Sequence, residues 1–268
     1  MGSLTLGIIG CGNMGSAIVK GLIKKSILPS ASILLYDKEI DKMRGLAAET
    51  GCLSADISGI ISKTDIILLA VKPQNFDEIC GVLAEGSAIE KRTIISVMAG
   101  IRIAAINRKL GDKIPVARAM PNMAAFVGES ITGVSYNDFV SRRGSIESIF
   151  SSIGKVIVVE EKLMDGVTAV SGSGPAYFFY LAECMIDAAE KAGFGQDTAR
   201  ELVLQTMYGA SLLMRSSDCS PGELIKKVAS RGGTTEAALS VMDNNGMKKI
   251  ILDAIDMAKK RSEELSGG

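Results

Sequence analysis

Short runs of aliphatic and β-branched residues recur through the first 160 positions, each followed by a stretch with helical spacing. The runs "LTLGIIG" (4–10), "SILLYD" (32–37), "DIILLAV" (65–71), "RTIISVM" (92–98), "KIPVARA" (113–119), "SITGVSY" (130–136) and "KVIVVE" (155–160) predict strands. Helices are predicted between them over 13–25, 39–50, 56–63, 74–85, 102–109 and 139–152. Continuous apolar runs, as opposed to alternating ones, belong to strands covered on both faces. Their alternation with helices predicts a parallel, doubly wound α/β sheet.

Beyond residue 160 the strand signals stop, and helices are predicted over 175–194, 196–215, 221–229, 235–244 and 247–264. The first of these, "PAYFFYLAECMIDAAEKAGF", has proline in its first turn and Gly193 placed as a C-cap. Ala176, Phe178, Phe179, Leu181, Ala182, Met185, Ile186 and Ala189 make it apolar on nearly every face. Such a helix must be covered on all sides. A domain of about a hundred residues has little depth for that, so a partner subunit is expected to supply the cover. The division read from the sequence is therefore 1–160 for the α/β domain and 161–268 for an all-helical oligomerisation domain.

Composition narrows the partners. The chain of 268 residues carries thirty acidic and thirty basic side chains, interspersed, for a formal net charge of zero. No basic field for nucleic acid or an anionic membrane exists. No run reaches the roughly eighteen apolar residues of a membrane span. Five cysteines without a CxxC pair fit free thiols in a reducing compartment, and a cytoplasmic protein is expected. The opening Met-Gly-Ser with Thr5 partly matches a myristoylation signal, although a residual tag is the preferred reading. Histidine is absent altogether, which excludes a Ser-His-Asp triad and any histidine-ligated metal, and no metal site is expected. Proton transfer must then come from a hydroxyl, a carboxylate, a lysine, the substrate or water.

Two glycine-bearing turns carry the candidate chemistry. "GCGNMG" sets Gly10, Gly12 and Gly15 between a predicted strand and helix, the pattern of a dinucleotide-binding turn. There the first glycine permits the tight turn, the second admits a pyrophosphate and the third lets helix and strand pack closely. Asp37, ending the next strand, stands where an acid binds the adenosine ribose. Together these predict a Rossmann domain. The carboxylate favours NADH, but Lys38, Lys42 and Arg44 lie near enough in sequence to offset its repulsion of a 2′-phosphate, so NADPH and NADH both stay open. "AVKP" (Ala70, Val71, Lys72, Pro73), "SVMAG" with Ala99, and "AMPN" end three successive strands at the edge where such sheets present ligands. The second turn, "SRGGTTEAAL", has Gly232 and Gly233 before Thr234 and Thr235. One threonine is expected to cap a helix beginning near Glu236, leaving a second hydroxyl and exposed amides for a carboxylate.

"SGSGPAYFF" (171–179) and "PGELIKKVASRGGTTEAAL" (221–239), with "GCGNMG", "AVKP" and "AMPN" in order, closely resemble the motifs of pyrroline-5-carboxylate reductase. The resemblance covers essentially the whole chain. It implies reduction of 1-pyrroline-5-carboxylate to L-proline with NADPH or NADH, by an N-terminal Rossmann domain followed by helices that interlock into a homodimer. Larger rings of such dimers occur in the family. It further implies coenzyme contacts from Gly10, Gly12, Asn13, Met14, Gly15, Asp37, Ala70 to Pro73 and Ala99. Gly233, Thr234 and Thr235 would hold the substrate carboxylate, and Thr235 would face the substrate nitrogen as the catalytic hydroxyl. Asp218 matches a position usually held by glutamate near that nitrogen, and Arg231 stands where the family usually has proline. "SGSGPAY" is expected as active-site wall or, equally, as a helix start with packing glycines. Two rival readings share features with this one. A β-hydroxyacid dehydrogenase has the same opening turn but needs a helical lysine base, and the apolar helix offers none before Lys191. A non-catalytic nucleotide-binding protein is the other.

Overall fold

The computed structural model describes residues 4–86 and 88–267. Met1 to Ser3, on which the myristoylation and tag readings fall, lie outside them. Eight strands form one sheet: β1 (Leu6–Ile9), β2 (Ile33–Tyr36), β3 (Leu53–Ser54), β4 (Ile66–Leu69), β5 (Thr93–Ser96), β6 (Val116–Met120), β7 (Ser130–Tyr136) and β8 (Gly154–Val158). Their order is β3-β2-β1-β4-β5-β6-β7-β8, which reverses direction at β1 and β4. The seven predicted strands are present. β3 was not predicted: two exposed residues at the sheet's edge carry no apolar run to read.

Every neighbouring pair is parallel except β6 and β7, which run antiparallel with Ala117 opposite Tyr136. The parallel, doubly wound sheet expected from the sequence is present, with this pair as its one antiparallel exception. A parallel return needs a crossover of a dozen or more residues. Between β6 and β7 the chain has only the 3-10 turn Met123–Val127 and its flanks, so it doubles back.

Apolar residues along one strand divide between the two faces. On β4, Ile66 and Leu68 join a core with Ile8, Ile18, Leu35 and Phe150, whereas Ile67 and Leu69 join one with Ile9, Ile94 and Ile106. All four β4 side chains are fully buried. At about 1.5–3 kcal/mol for each large aliphatic side chain removed from water, this explains why the run has no polar alternation. The helices α1 (Asn13–Lys24), α2 (Ile40–Thr50), α3 (Ile57–Lys63), α4 (Phe76–Ala84), α5 (Ile103–Leu110) and α6 (Arg143–Ser151) alternate with the strands.

Two compact units result: Met1–Ser173 with Ala258–Gly268, and Gly174–Met257. A short helix α7 (Met164–Val167) and a π-helical turn, Thr168–Gly172, close the first unit's continuous stretch. Its discontinuous part is the end of the last helix, fastened by a buried carboxylate. Asp165 accepts from the hydroxyls of Ser262 at 2.7 Å and Ser266 at 3.1 Å. The buried Arg118 lies 3.6 Å from Asp165 and 3.6 Å from Glu161, so the interior charge is paired.

The second unit is helical: α8 (Gly174–Lys191), α9 (Gln196–Ser216), α10 (Pro221–Val228), α11 (Thr234–Asn244) and the start of α12 (Met247–Gly267). As expected, Gly193 takes a left-handed φ of +100° just past α8. The unit has almost no interior of its own: Gly174, Ala182, Ala199 and Val203 are its buried residues. Phe178, Phe179, Tyr180 and Tyr208 are each more than 60% exposed. Cys11, Cys52 and Cys80 are buried, Cys219 is half-buried and Cys184 is exposed. Among the described residues, no helix is long and apolar enough to cross a membrane.

One carboxylate ties the entries of β1 and β4 together. Asp65 accepts from the Thr5 amide at 3.0 Å and the Thr5 hydroxyl at 2.9 Å, and pairs with Arg142 at 3.2 Å. Burial pushes its pKa up, but the Thr5 bonds and the guanidiniums of Arg142 and Arg92 outweigh that, leaving it below the ordinary value. A folded pKa below the unfolded one, about 3.9, adds stability above that pH which is lost as pH falls through the folded value. Asp65→Asn should therefore lower the urea midpoint at pH 7, and the gap to wild type should close at the acid end of that window.

Candidate active site

The end of β1 and the start of α1 set the first site. Ile9 lies opposite Tyr36 on β2 and opposite Leu69 on β4. The Gly10 amide donates to the Tyr36 carbonyl at 2.8 Å, and the Ala70 amide to the Ile9 carbonyl at 2.8 Å. The chain must turn at once, and Gly10 does so with φ +107°. A Cβ there would lie 2.6 Å from the Ala70 carbonyl oxygen, and one on Gly15 would collide with the Gly10 carbonyl oxygen. Two of the three glycines are thus demanded by the fold itself. Gly12 is different: a Cβ there would meet nothing within 4 Å. Its missing side chain leaves space that the protein does not use, as close approach of a pyrophosphate to backbone requires. Gly12 is also the N-cap of α1, whose first turn has no acidic residue and no side-chain cap, so its amides face outward with the positive end of the helix dipole.

Asp37 follows β2 and closes over this turn. One oxygen accepts from the Cys11 amide at 2.7 Å, the other from the Glu39 amide at 2.8 Å. Beside it, the Cys11 thiol is pushed up to about 12, by burial first and then by the charges of Asp37 and Cys52. It stays protonated and adds no negative charge where phosphates would sit. A cavity of about 380 Å3 opens here, lined by Gly10, Gly12, Asp37, Ala70, Val71 and Lys72 among others. Those six are brought together as the sequence motifs imply. Asn13, Met14, Gly15, Pro73 and Ala99 are not in its wall. Asn13 and Met14 form the exposed and half-buried start of α1, Pro73 opens a 3-10 turn, and Ala99 lies in the half-buried loop after β5. Tyr36, Glu39, Asn75, Glu78 and Ile79 also line the cavity and carried no motif. Their only sequence signal is position, at the end of β2 and the start of α4.

Two further motifs meet within the first unit. The Asn122 side-chain amide of "AMPN" donates to the Ser171 carbonyl of "SGSGP" at 3.0 Å. A Cβ on Gly172 would come within 2.7 Å of the Met120 Cε. At this contact Gly172 is packed, and it ends the π-helical turn that leads into α8.

The second site is the turn before α11, and here the capping expectation is corrected. The helix begins at Thr234, not near Glu236, with Gly233 as N-cap and no side-chain cap. Gly232, at φ +72°, makes the turn, and the Gly233 amide donates to the Ser230 carbonyl at 3.0 Å. Glu236 reaches back to accept from the Gly232 amide at 2.6 Å, bracing the turn that precedes the N-cap. Neither threonine hydroxyl is spent on a cap. The first-turn amides of Thr234 and Thr235 have no acceptor inside the helix, as at any helix start. Asp218 lies exposed in the loop between α9 and α10, two residues before the Ser220 capping box, and makes no hydrogen bond or ion pair among the described residues. Arg231 is exposed in the turn itself.

Residues 161–265 match the family described as "Pyrroline-5-carboxylate reductase dimerisation", and residues 5–100 match "NADP oxidoreductase coenzyme F420-dependent". The chain is 35% identical to the pyrroline-5-carboxylate reductase of Pseudomonas aeruginosa over 99% of its own length and 98% of that protein's. The chain belongs to the pyrroline-5-carboxylate reductase family. Among solved structures, the Coxiella burnetii pyrroline-5-carboxylate reductase superposes with a TM-score of 0.92 at 32% identity, covering 99% of each chain. The Plasmodium falciparum pyrroline carboxylate reductase, solved with NADP bound, gives 0.88 at 27%, covering 98% of each.

For a member of this family, the different roles of Gly10 and Gly12 make a direct test. Gly12 already has φ −70°, open to any residue. Gly12→Ala should change unfolding free energy by no more than about 0.5 kcal/mol, yet weaken coenzyme binding at least about tenfold. Gly10→Ala should instead destabilise the fold by about 1–3 kcal/mol, from backbone strain before any clash. Denaturant unfolding and coenzyme titration of both variants separate the two outcomes.

Proposed function

We propose that the chain reduces 1-pyrroline-5-carboxylate to L-proline with NADPH or NADH, the last step of proline synthesis. The observation that carries the chemistry is the pair of threonine hydroxyls at the start of α11, both left uncapped beside outward-facing amides. The full-length match to curated reductases supports the reaction class.

The division of labour follows the sequence reading: 1–160 for the coenzyme, and 161–268 for substrate binding and dimerisation. In the first part, Gly10 makes the tight turn, its own amide held by Tyr36, while Gly12, Asn13, Met14 and Gly15 present amides to the pyrophosphate, and Asp37 addresses the ribose. Ala70 to Pro73 and Ala99, at the ends of β4 and β5, complete the coenzyme wall. Bound NAD(P)H supplies the hydride that reduces the C=N bond.

In the second part, the amides from Gly233 to Thr235 hold the substrate carboxylate. Thr235 donates to, or relays a proton onto, the ring nitrogen. Asp218 stands near that nitrogen through a water, its side chain being one carbon shorter than the usual glutamate. A cyclic imine is basic enough to be protonated without a strong protein acid, so a chain with no histidine is adequate. What the protein contributes is orientation, worth several kcal/mol through proximity.

The working form is a homodimer. The helical unit leaves Phe178, Phe179 and Tyr180 exposed in a single chain, which a second copy would cover. Assembly of such dimers into a larger ring, and residence in the cytoplasm, belong to the same reading. The five unpaired cysteines fit a reducing compartment.

Thr235→Ala should lower kcat/KM for the imine by roughly 10²-fold, the ordinary size for one positioned proton-transfer group. Its coenzyme affinity should be unchanged. Near-native turnover would remove Thr235 from the role. Separately, Phe179→Asp should shift sedimentation from dimer towards monomer and lower the thermal midpoint, because the covering surface and the fold are one.

A further inference from the structure

The adenosine end of the coenzyme cavity carries a charge pattern that separates the two coenzymes. Its wall there contains Asp37, Lys38, Glu39 and Lys42, two carboxylates and two ammonium groups with no net charge. Lys42 has its ammonium 2.6 Å from Glu39 in an exposed pair, so its charge is offset locally. Asp37 is committed in a different way. Both of its oxygens are held by backbone donors, Cys11 at 2.7 Å and Glu39 at 2.8 Å. The carboxylate cannot swing aside to admit another anion without stripping two amides of their acceptor. Its remaining lone pairs can still accept from a hydroxyl.

A free ribose 2′-hydroxyl has a proton to give to that carboxylate. A 2′-phosphate has none when ionised and brings a charge of about −1.5 to −2 towards a fixed negative group. Lys38 is the one ammonium of this wall segment without a carboxylate partner among the described residues. Lys72 also lines the cavity but follows β4, two strand spacings from Asp37, on the order of 10 Å.

We propose that the amide-locked Asp37 makes this chain select NADH over NADPH, with the Lys42 charge offset by Glu39. The inference rests on the dinucleotide reading of the first site and sharpens it to one coenzyme.

Fluorescence titration with each reduced coenzyme in the absence of the imine tests this apart from turnover. The wild-type Kd for NADH should be at least about tenfold below that for NADPH at moderate salt. Asp37→Asn, which keeps the shape, and Asp37→Ser, which also opens space, should each narrow that ratio at least about tenfold. Lys42→Ala should leave it essentially unchanged. The idea is overturned if wild type binds NADPH as tightly as NADH. It also falls if both Asp37 variants keep the wild-type ratio, or if Lys42→Ala selectively costs NADPH affinity. Binding of neither coenzyme would overturn the dinucleotide reading as well. Normal NADH selection without imine turnover would count against the proposed reaction alone.

Discussion

The crossing of backbone over backbone where β1 gives way to α1 is the constraint on which the coenzyme half is built. The Gly10 carbonyl occupies the space a Gly15 side chain would need, and Gly10 itself lies against the Ala70 carbonyl. Only with both side chains missing can α1 start so close to the ends of β1 and β4. That closeness aims the helix's free amides at the crevice where the strand order reverses. Asp37 then holds the turn from the β2 side through the Cys11 amide. Fold and binding surface are the same few atoms here, which is why the motif is so compact in sequence.

The helical unit follows the opposite logic. Its helices have strong local signals, including the complete capping box at Ser220 and Glu223, but their apolar faces outrun what one chain can bury. Local propensity fixes the helices and leaves the tertiary problem to a second copy.

Buried charge marks where the last helix comes home. Asp165 and Arg118 are both interior, and each is satisfied by more than one partner, including the hydroxyls of Ser262 and Ser266. An unpaired charge there would be costly, whereas the paired cluster fixes which turn of α12 meets α7. The Gly100 position adds to this: its φ of +76° disfavours any side chain, and a Cβ there would lie 3.1 Å from the Leu265 carbonyl oxygen, a tight contact. The loop that carries Ala99 is therefore braced by residues far along the chain.

The sequence alone determined whatever repeats at a short period or forbids a side chain. Strands such as β1 and β4 were legible because burial on both faces removes polar residues from a run of four, whereas β8 kept an apolar run although three of its five residues are exposed. The glycine turn was legible because sterics exclude every other residue at Gly10 and Gly15. The apolar girth of α8 likewise announced a missing neighbour. Tertiary structure decided what depends on pairing partners. The antiparallel β7 follows from a short link with no helical signal to mark it, and β3 exists only because β2 offers it an edge. At α11, Gly233 takes the N-cap position and Glu236 braces the Gly232 amide before it, so neither Thr234 nor Thr235 serves as the cap. The two bonds that lock Asp37 were invisible for the same reason: a carboxylate's availability depends on which amides the fold brings to it, and one of those lies 26 residues away.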